Sequence, residues 1–125
     1  MSDSNTIELT RGNSALIEIT PMDSETQSPI ILDDGDYVLF TVKDTVGNTI
    51  LQKKLTSDDY PDEGSDCLNC LLEPSDTVKA PLGVHKYDCL YVTGNGRAVT
   101  FISSRFILSD ACGIYTDAVG GDTGE

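Results

Sequence analysis

The chain contains no tryptophan, only three phenylalanines and five tyrosines among 125 residues. A core built from it must rest on Val, Ile and Leu, with a few rings set among them. Cations are scarce as well. Eight Lys and Arg stand against 21 Asp and Glu, a formal charge of −13. Binding to nucleic acid needs Lys and Arg gathered on one face, so this composition argues against it and against anionic membranes. Histidine occurs once, at His85. No Ser or Cys sits in a nucleophile-elbow or papain-type context, so no catalytic triad assembles. Glycine-rich phosphate loops are missing too, since Gly94-Asn95-Gly96 is hairpin chemistry. No apolar run approaches the roughly 20 residues of a membrane-crossing helix. Met1-Ser2-Asp3-Ser4-Asn5 is polar and acidic, unlike a secretory leader. These features predict a protein made in the cytoplasm, whose thiols at Cys67, Cys70, Cys89 and Cys112 stay reduced.

What is present is strand chemistry. Along Gly83 to Val92, Lys86 and Asp88 alternate with His85, Tyr87, Cys89 and Tyr91, so one face is wet and the other apolar. Thr93-Gly94-Asn95-Gly96 turns the chain, and Ala98 to Leu108 returns as a second strand. Further runs are predicted at Thr6–Leu9, Ser14–Thr20, Tyr37–Lys43, Thr49–Leu55 and Cys67–Leu72. Pro21 stops the second of these, and Ser57 to Asp66 reads as an acidic loop. A sustained helical period is absent, leaving one helical turn near Pro74-Ser75-Asp76-Thr77, where Ser or Asp can cap. About seven short strands with frequent turns indicate an all-β, immunoglobulin-like antiparallel sandwich of two sheets. The domain is expected over residues 1–115, with a short flexible acidic tail over 116–125. Tyr87-Asp88-Cys89 sits where such folds place a Tyr two residues before a Cys. The second strand offers no Cys to bridge to it.

Four segments, RGNSALIEIT at 11–20, GDYVLFTVKD at 35–44, SDTVKAPLGVHKYDCLYV at 75–92 and GRAVTFISSRFIL at 96–108, carry a resemblance. Together they resemble the immunoglobulin-like domain common in phages and prophages of Gram-positive hosts. The chain is similar to the N-terminal domain of phage baseplate upper proteins. His85 stands where that family has Tyr, and Cys89 where it has Ile. The resemblance implies a non-enzymatic virion structural protein that docks on a baseplate, a tail or another virion surface. Its expected partners are other virion proteins in several copies, with no cofactor. Residues 1–10 are expected to add a strand to a neighbour, and the tail from Thr116 to lie across one.

Candidate sites each carry a plain reading beside the functional one. Asp33, Asp34, Asp36, Asp58, Asp59 and Asp62 supply hard oxygens and are candidates for weak calcium binding, although they lack the spacing of a helix-loop-helix site. The plain reading is solvated acidic loops. Cys67-x-x-Cys70 is half a zinc site only if both sulfurs face one point, whereas residues three apart on a strand face opposite ways. Buried thiols are the favoured reading, with disulfides and zinc the alternatives. Arg11-Gly12-Asn13-Ser14 is turn chemistry. Tyr37, Tyr60, Tyr91 and Tyr115 are the candidates for a sugar-binding face, and periodicity turns Tyr91 inward. The expected function is therefore virion docking, with capsid decoration or a carbohydrate- or calcium-binding module as alternatives. No catalytic residue is assigned.

Overall fold

All seven segments with β-type alternation form strands. They are β1 (Ile7–Thr10), β2 (Ala15–Ile19), β3 (Tyr37–Lys43), β4 (Thr49–Leu55), β5 (Leu68–Leu72), β6 (Gly83–Val92) and β7 (Ala98–Ser109). The structure, a computed structural model, describes residues 5–23 and 25–110. The expected tail, the domain boundary at 115, Cys112 and Tyr115 lie outside the described residues. The helical turn forms as α1 (Pro74–Thr77). Pro74 presets φ at its start, and Asp76 Oδ2 accepts from the Glu73 amide at 2.7 Å. The acidic loop differs from expectation in opening with a 3₁₀ turn over Ser57–Asp59. Thr56 Oγ1 accepts from the Asp58 amide at 3.2 Å, and Asp59 Oδ2 accepts from the Thr56 amide at 2.8 Å. This reciprocal pairing satisfies donors that a short turn leaves open.

Five strands make one sheet in the order β1-β7-β6-β3-β4, and β2 pairs with β5 in a second. The pairing is antiparallel everywhere except at one edge. β1 runs parallel to β7, from Ile7↔Phe106 to Thr10↔Ser109, which corrects the expectation of wholly antiparallel sheets. The reason is connectivity. β1 is followed by a turn into the other sheet, so no hairpin obliges it to run against a sequence neighbour. Gly12, at φ +85°, makes that turn. Its amide donates to Thr77 Oγ1 at 2.8 Å, anchoring the corner on α1. The pairing also places residues 7–10 in the molecule's own sheet, as an edge strand whose outer side has no strand partner among the described residues.

The inward stripes of the two sheets share one core. Val38, Phe40 and Val42 of β3, Tyr87 and Cys89 of β6, and Phe106 and Leu108 of β7 join Ile19 of β2 and Leu68, Cys70 and Leu72 of β5. Phe40 lies at the centre, with ring centroids 5.3 Å from Tyr87 and 6.2 Å from Phe106. Those separations fall where tilted rings attract. The Tyr87 hydroxyl donates to the Asn5 carbonyl. It thus holds the segment leading into β1.

Two hairpins share one construction. In β3–β4 the Gly47 amide donates to Asp44 O at 3.1 Å, and in β6–β7 the Gly96 amide donates to Thr93 O at 2.9 Å. The glycine in each adopts positive φ, which suits a type I turn followed by a left-handed residue. Phe40→Ala is expected to cost about 3–5 kcal/mol by opening a central cavity. Tyr87→Phe removes the Asn5 bond and is expected to cost about 1 kcal/mol, with the faster hydrogen exchange centred on β1. Urea denaturation and exchange mass spectrometry measure both.

Candidate functional site

A register change builds the most site-like feature of the described residues. Down β7 the inward positions are Leu108, Phe106, Ser104 and Ile102, yet Tyr91 pairs with Val99 rather than Thr100. The shift falls between Cys89 and Leu90 of β6, so Phe101 is the extra residue of a β-bulge. The bulge re-aims this end of β7. Tyr91, Val99 and Phe101 thereby line a depression of about 360 Å³, closed on another side by Met22 and Ile30. That volume lies within the range of small-molecule sites. Asp23, Glu25 and Arg97 are among its polar lining residues. Asp23 Oδ1 accepts from the Glu25 and Thr26 amides, at 2.8 and 3.1 Å. The Thr26 amide foremost, then that of Glu25, holds its carboxyl below the usual aspartate range. An apolar floor with charged groups at the margin suits binding; no nucleophile and base are paired there.

Asp36 fixes this end of the molecule. Its Oδ1 accepts from the Gly94 amide at 2.8 Å, and its Oδ2 from the Asp33 amide at 3.0 Å and the Tyr91 hydroxyl at 3.3 Å. The Asp33 and Gly94 amides, in that order, hold its pKa below the ordinary value. Burial, followed by the Asp36 charge and hydrogen bond, pushes the Tyr91 hydroxyl up. Gly35 beside it adopts φ +92°, and a Cβ there would lie 3.7 Å from the Gly94 backbone.

The other carboxylates singled out in the sequence lie in loops and turns. Asp59 closes the 3₁₀ turn, while Asp33, Asp34, Asp58 and Asp62 are exposed. Among the described residues no three His, Cys, Asp or Glu side chains converge to hold a metal ion. Cys67, Cys70 and Cys89 are free thiols. Cys70 and Cys89 are buried in the core, whereas Cys67 lies outside it, its Sγ 3.0 Å from Thr20 Oγ1. Burial pushes the Cys70 thiol up to about 11. Burial, with Cys70 adding to it, pushes Cys89 up to about 12. His85 is buried in β6, Nε2 donating to Pro81 O at 2.7 Å and Nδ1 without a partner. Among the described residues the candidate tyrosines do not share one face, Tyr60 and Tyr91 packing against the core. Tyr37 lies outward beneath Lys54, whose Nζ is 4.5 Å from the ring centroid, and the Tyr60 hydroxyl accepts from the Leu32 amide at 2.9 Å.

Periodicity alone missed Met22, Ile30, Arg97, Val99 and Phe101. The available signal was the phase change of the apolar positions across Val99, Phe101 and Ile102, the mark of a bulge. No family model and no curated protein matches this chain.

Two pH responses follow. Carboxylates held below the ordinary aspartate value, here Asp23, Asp36, Asp44 and Asp76, contribute stability that is complete above about pH 4. It is lost as pH falls through their depressed folded values. The raised thiols act at the other limit. Above about pH 9 the unfolded thiols ionise while Cys70 and Cys89 do not, so stability declines towards pH 11–12. The melting temperature is expected to fall at both ends, and C70A/C89A to flatten the alkaline limb. At pH 8, iodoacetamide is expected to label Cys70 and Cys89 about 100-fold more slowly in the folded than in the unfolded chain. Peptide mapping reads the rates.

Proposed function

We propose that this chain is a non-enzymatic structural module of a phage virion, an immunoglobulin-like β-sandwich that docks on a baseplate or tail surface. The observation that carries the reading is strand order. With β2 to β7 taken as strands B, C, C′, E, F and G, the order β7-β6-β3-β4 matches G-F-C-C′ of variable-type immunoglobulin domains. The β2–β5 pair then corresponds to B and E of the facing sheet. Phe40 on β3 occupies the central core position that Trp fills in antibody domains, and β2 has no Cys to pair with Cys89. The four segments that resemble the phage family fall on β2, β3, α1 with β6, and β7, together with the turns between them. They therefore supply most of the core as well as the resemblance.

Such a module works by protein–protein contact with other virion proteins. Repetition of many copies on a symmetric particle raises the effective concentration of each contact, so single interfaces need not be strong. Capsid decoration uses the same contact chemistry on the head. β1 and β4 are the edges of the large sheet, so docking can use their outer edges as well as sheet faces and loops. Electron microscopy of intact particles carrying a labelled chain tests the reading. Density at the tail tip or baseplate is the expected result, density on the head selects capsid decoration, and bare particles overturn both.

One observation favours a second reading, a carbohydrate-binding sandwich: the depression lined by Tyr91 and Phe101 with charged margins. Sugar titration followed by Tyr fluorescence is expected to respond in that case, and Phe101→Ala to abolish the response.

A further inference from the structure

The outward face of the five-stranded sheet holds an arrangement that folding does not favour. Lys43 of β3, Lys86 of β6 and Arg105 of β7 are direct register partners, Lys43↔Lys86 and Lys86↔Arg105. All three are exposed, and none forms an ion pair among the described residues. Like charges facing each other on adjacent strands repel and weaken a sheet. Strands lie about 4.8 Å apart, so the row sets three cations across roughly 10 Å, in a chain with eight in all. Lys43 and Lys86 border a depression of about 500 Å³ that Thr41, Thr45 and Ser103 supply with hydroxyls. Two acids border it as well. Asp44 is engaged by the Val46 and Asn48 amides, at 3.0 and 2.9 Å, while Asp88 lies one register step away on β6.

Among the described residues, the acidic runs lie at the opposite end of the same sheet. Asp33 to Asp36 lead into the first residue of β3, whereas Lys43 is its last. Asp58 to Asp66 follow β4, whose last residue Leu55 pairs with Val38 near the start of β3. The Leu32 amide on Tyr60 Oη ties the two runs together. A seven-residue strand separates these acids from the cation row, roughly 20 Å of rigid sheet. One copy cannot bring the two together; two copies can.

We propose that the Lys43–Lys86–Arg105 row docks the acidic loop Asp58–Asp66 of a second copy of this chain, head to tail. Such a contact is heterologous and either closes into a ring or extends as a file of subunits. A long polyphosphate fits less well, because Asp44, Asp88 and Glu8 flank the row. A short loop engages the row alone. The contact deepens the proposed role in a repeated assembly, yet it is a property of the isolated chain and is tested without particles.

Sedimentation velocity at about 0.15 M salt restricts electrostatics to charges within roughly 8 Å. Wild type is expected to self-associate with concentration. The row-reversed variant K43E/K86E/R105E and the loop-reversed variant D58K/D62K/E63K, each alone, are expected to associate at least tenfold more weakly. Mixed in equal amounts they are expected to recover association, since each then meets its complement. Circular dichroism checks their folding, and K86E, the middle of the row, replaces the triple variant if that one unfolds. A wild type that stays monomeric overturns the proposal, as does association unmoved by reversal or a mixture of folded variants that fails to recover. A monomeric wild type that binds an added Asp/Glu-rich peptide assigns the row to a foreign acidic partner and overturns the second-copy contact.

Discussion

Everything in this molecule depends on one face of β3 and β6 being covered. Val38, Phe40, Val42, Tyr87 and Cys89 are buried, and among the described residues the sheet opposite them has two strands. So small a cover cannot span five strands by itself. Pro21 and Leu32 from the loop side, and Ala80 beyond α1, complete the burial. Each large side chain removed from water contributes about 1.5–3 kcal/mol, against a comparable loss of backbone and side-chain freedom. The polar fixings then matter by position rather than strength. Tyr87 on Asn5, Gly12 on Thr77 and Gly94 on Asp36 each join segments far apart in sequence. Each ties a turn or a terminal segment to an element already held by the core.

Strand existence was legible because alternation is a local property. Tyr37–Lys43 and Thr49–Leu55 form as expected to the residue, and Gly83–Val92 does too. The direction of β1 was not legible, since nothing local distinguishes a strand that pairs with its neighbour from one that crosses to the far end of the chain. The 3₁₀ turn at Ser57–Asp59 escaped for a related reason. Its Thr56 and Asp59 reciprocal bonds are a helix-start signature, but no apolar run follows to give it weight. The depression beside Tyr91 was hidden most deeply. One extra residue in β7 turns Val99 towards Tyr91, and strict alternation counted from Phe106 turns it away.

The acidic loops show why counting carboxylates is a poor guide to metal chemistry. Asp36, Asp44 and Asp59 each accept from backbone amides within four residues of themselves. Such bonds stabilise the charged form and organise the turn in one step. A carboxylate aimed at its own backbone is turned away from a shared centre. Of the six acids that raised the calcium expectation, Asp36 and Asp59 are therefore explained by the loops they close.

The outer face of the large sheet obeys a different logic from the inner one. Inward positions are constrained by volume, so their identity reports on folding. Outward positions of an exposed sheet tolerate most polar residues, and only cross-strand neighbours bias the choice. That bias favours opposite charges, and the chain has 21 acids with which to supply them. Thr41, Asp88 and Ser103 in the next register row conform to it. Lys43, Lys86 and Arg105 do not. A repelling row on a chain otherwise dominated by acids costs stability in the isolated fold, and the cost falls only when negative charge is brought against it. The demand for that charge is built into the register of three strands, whichever molecule answers it.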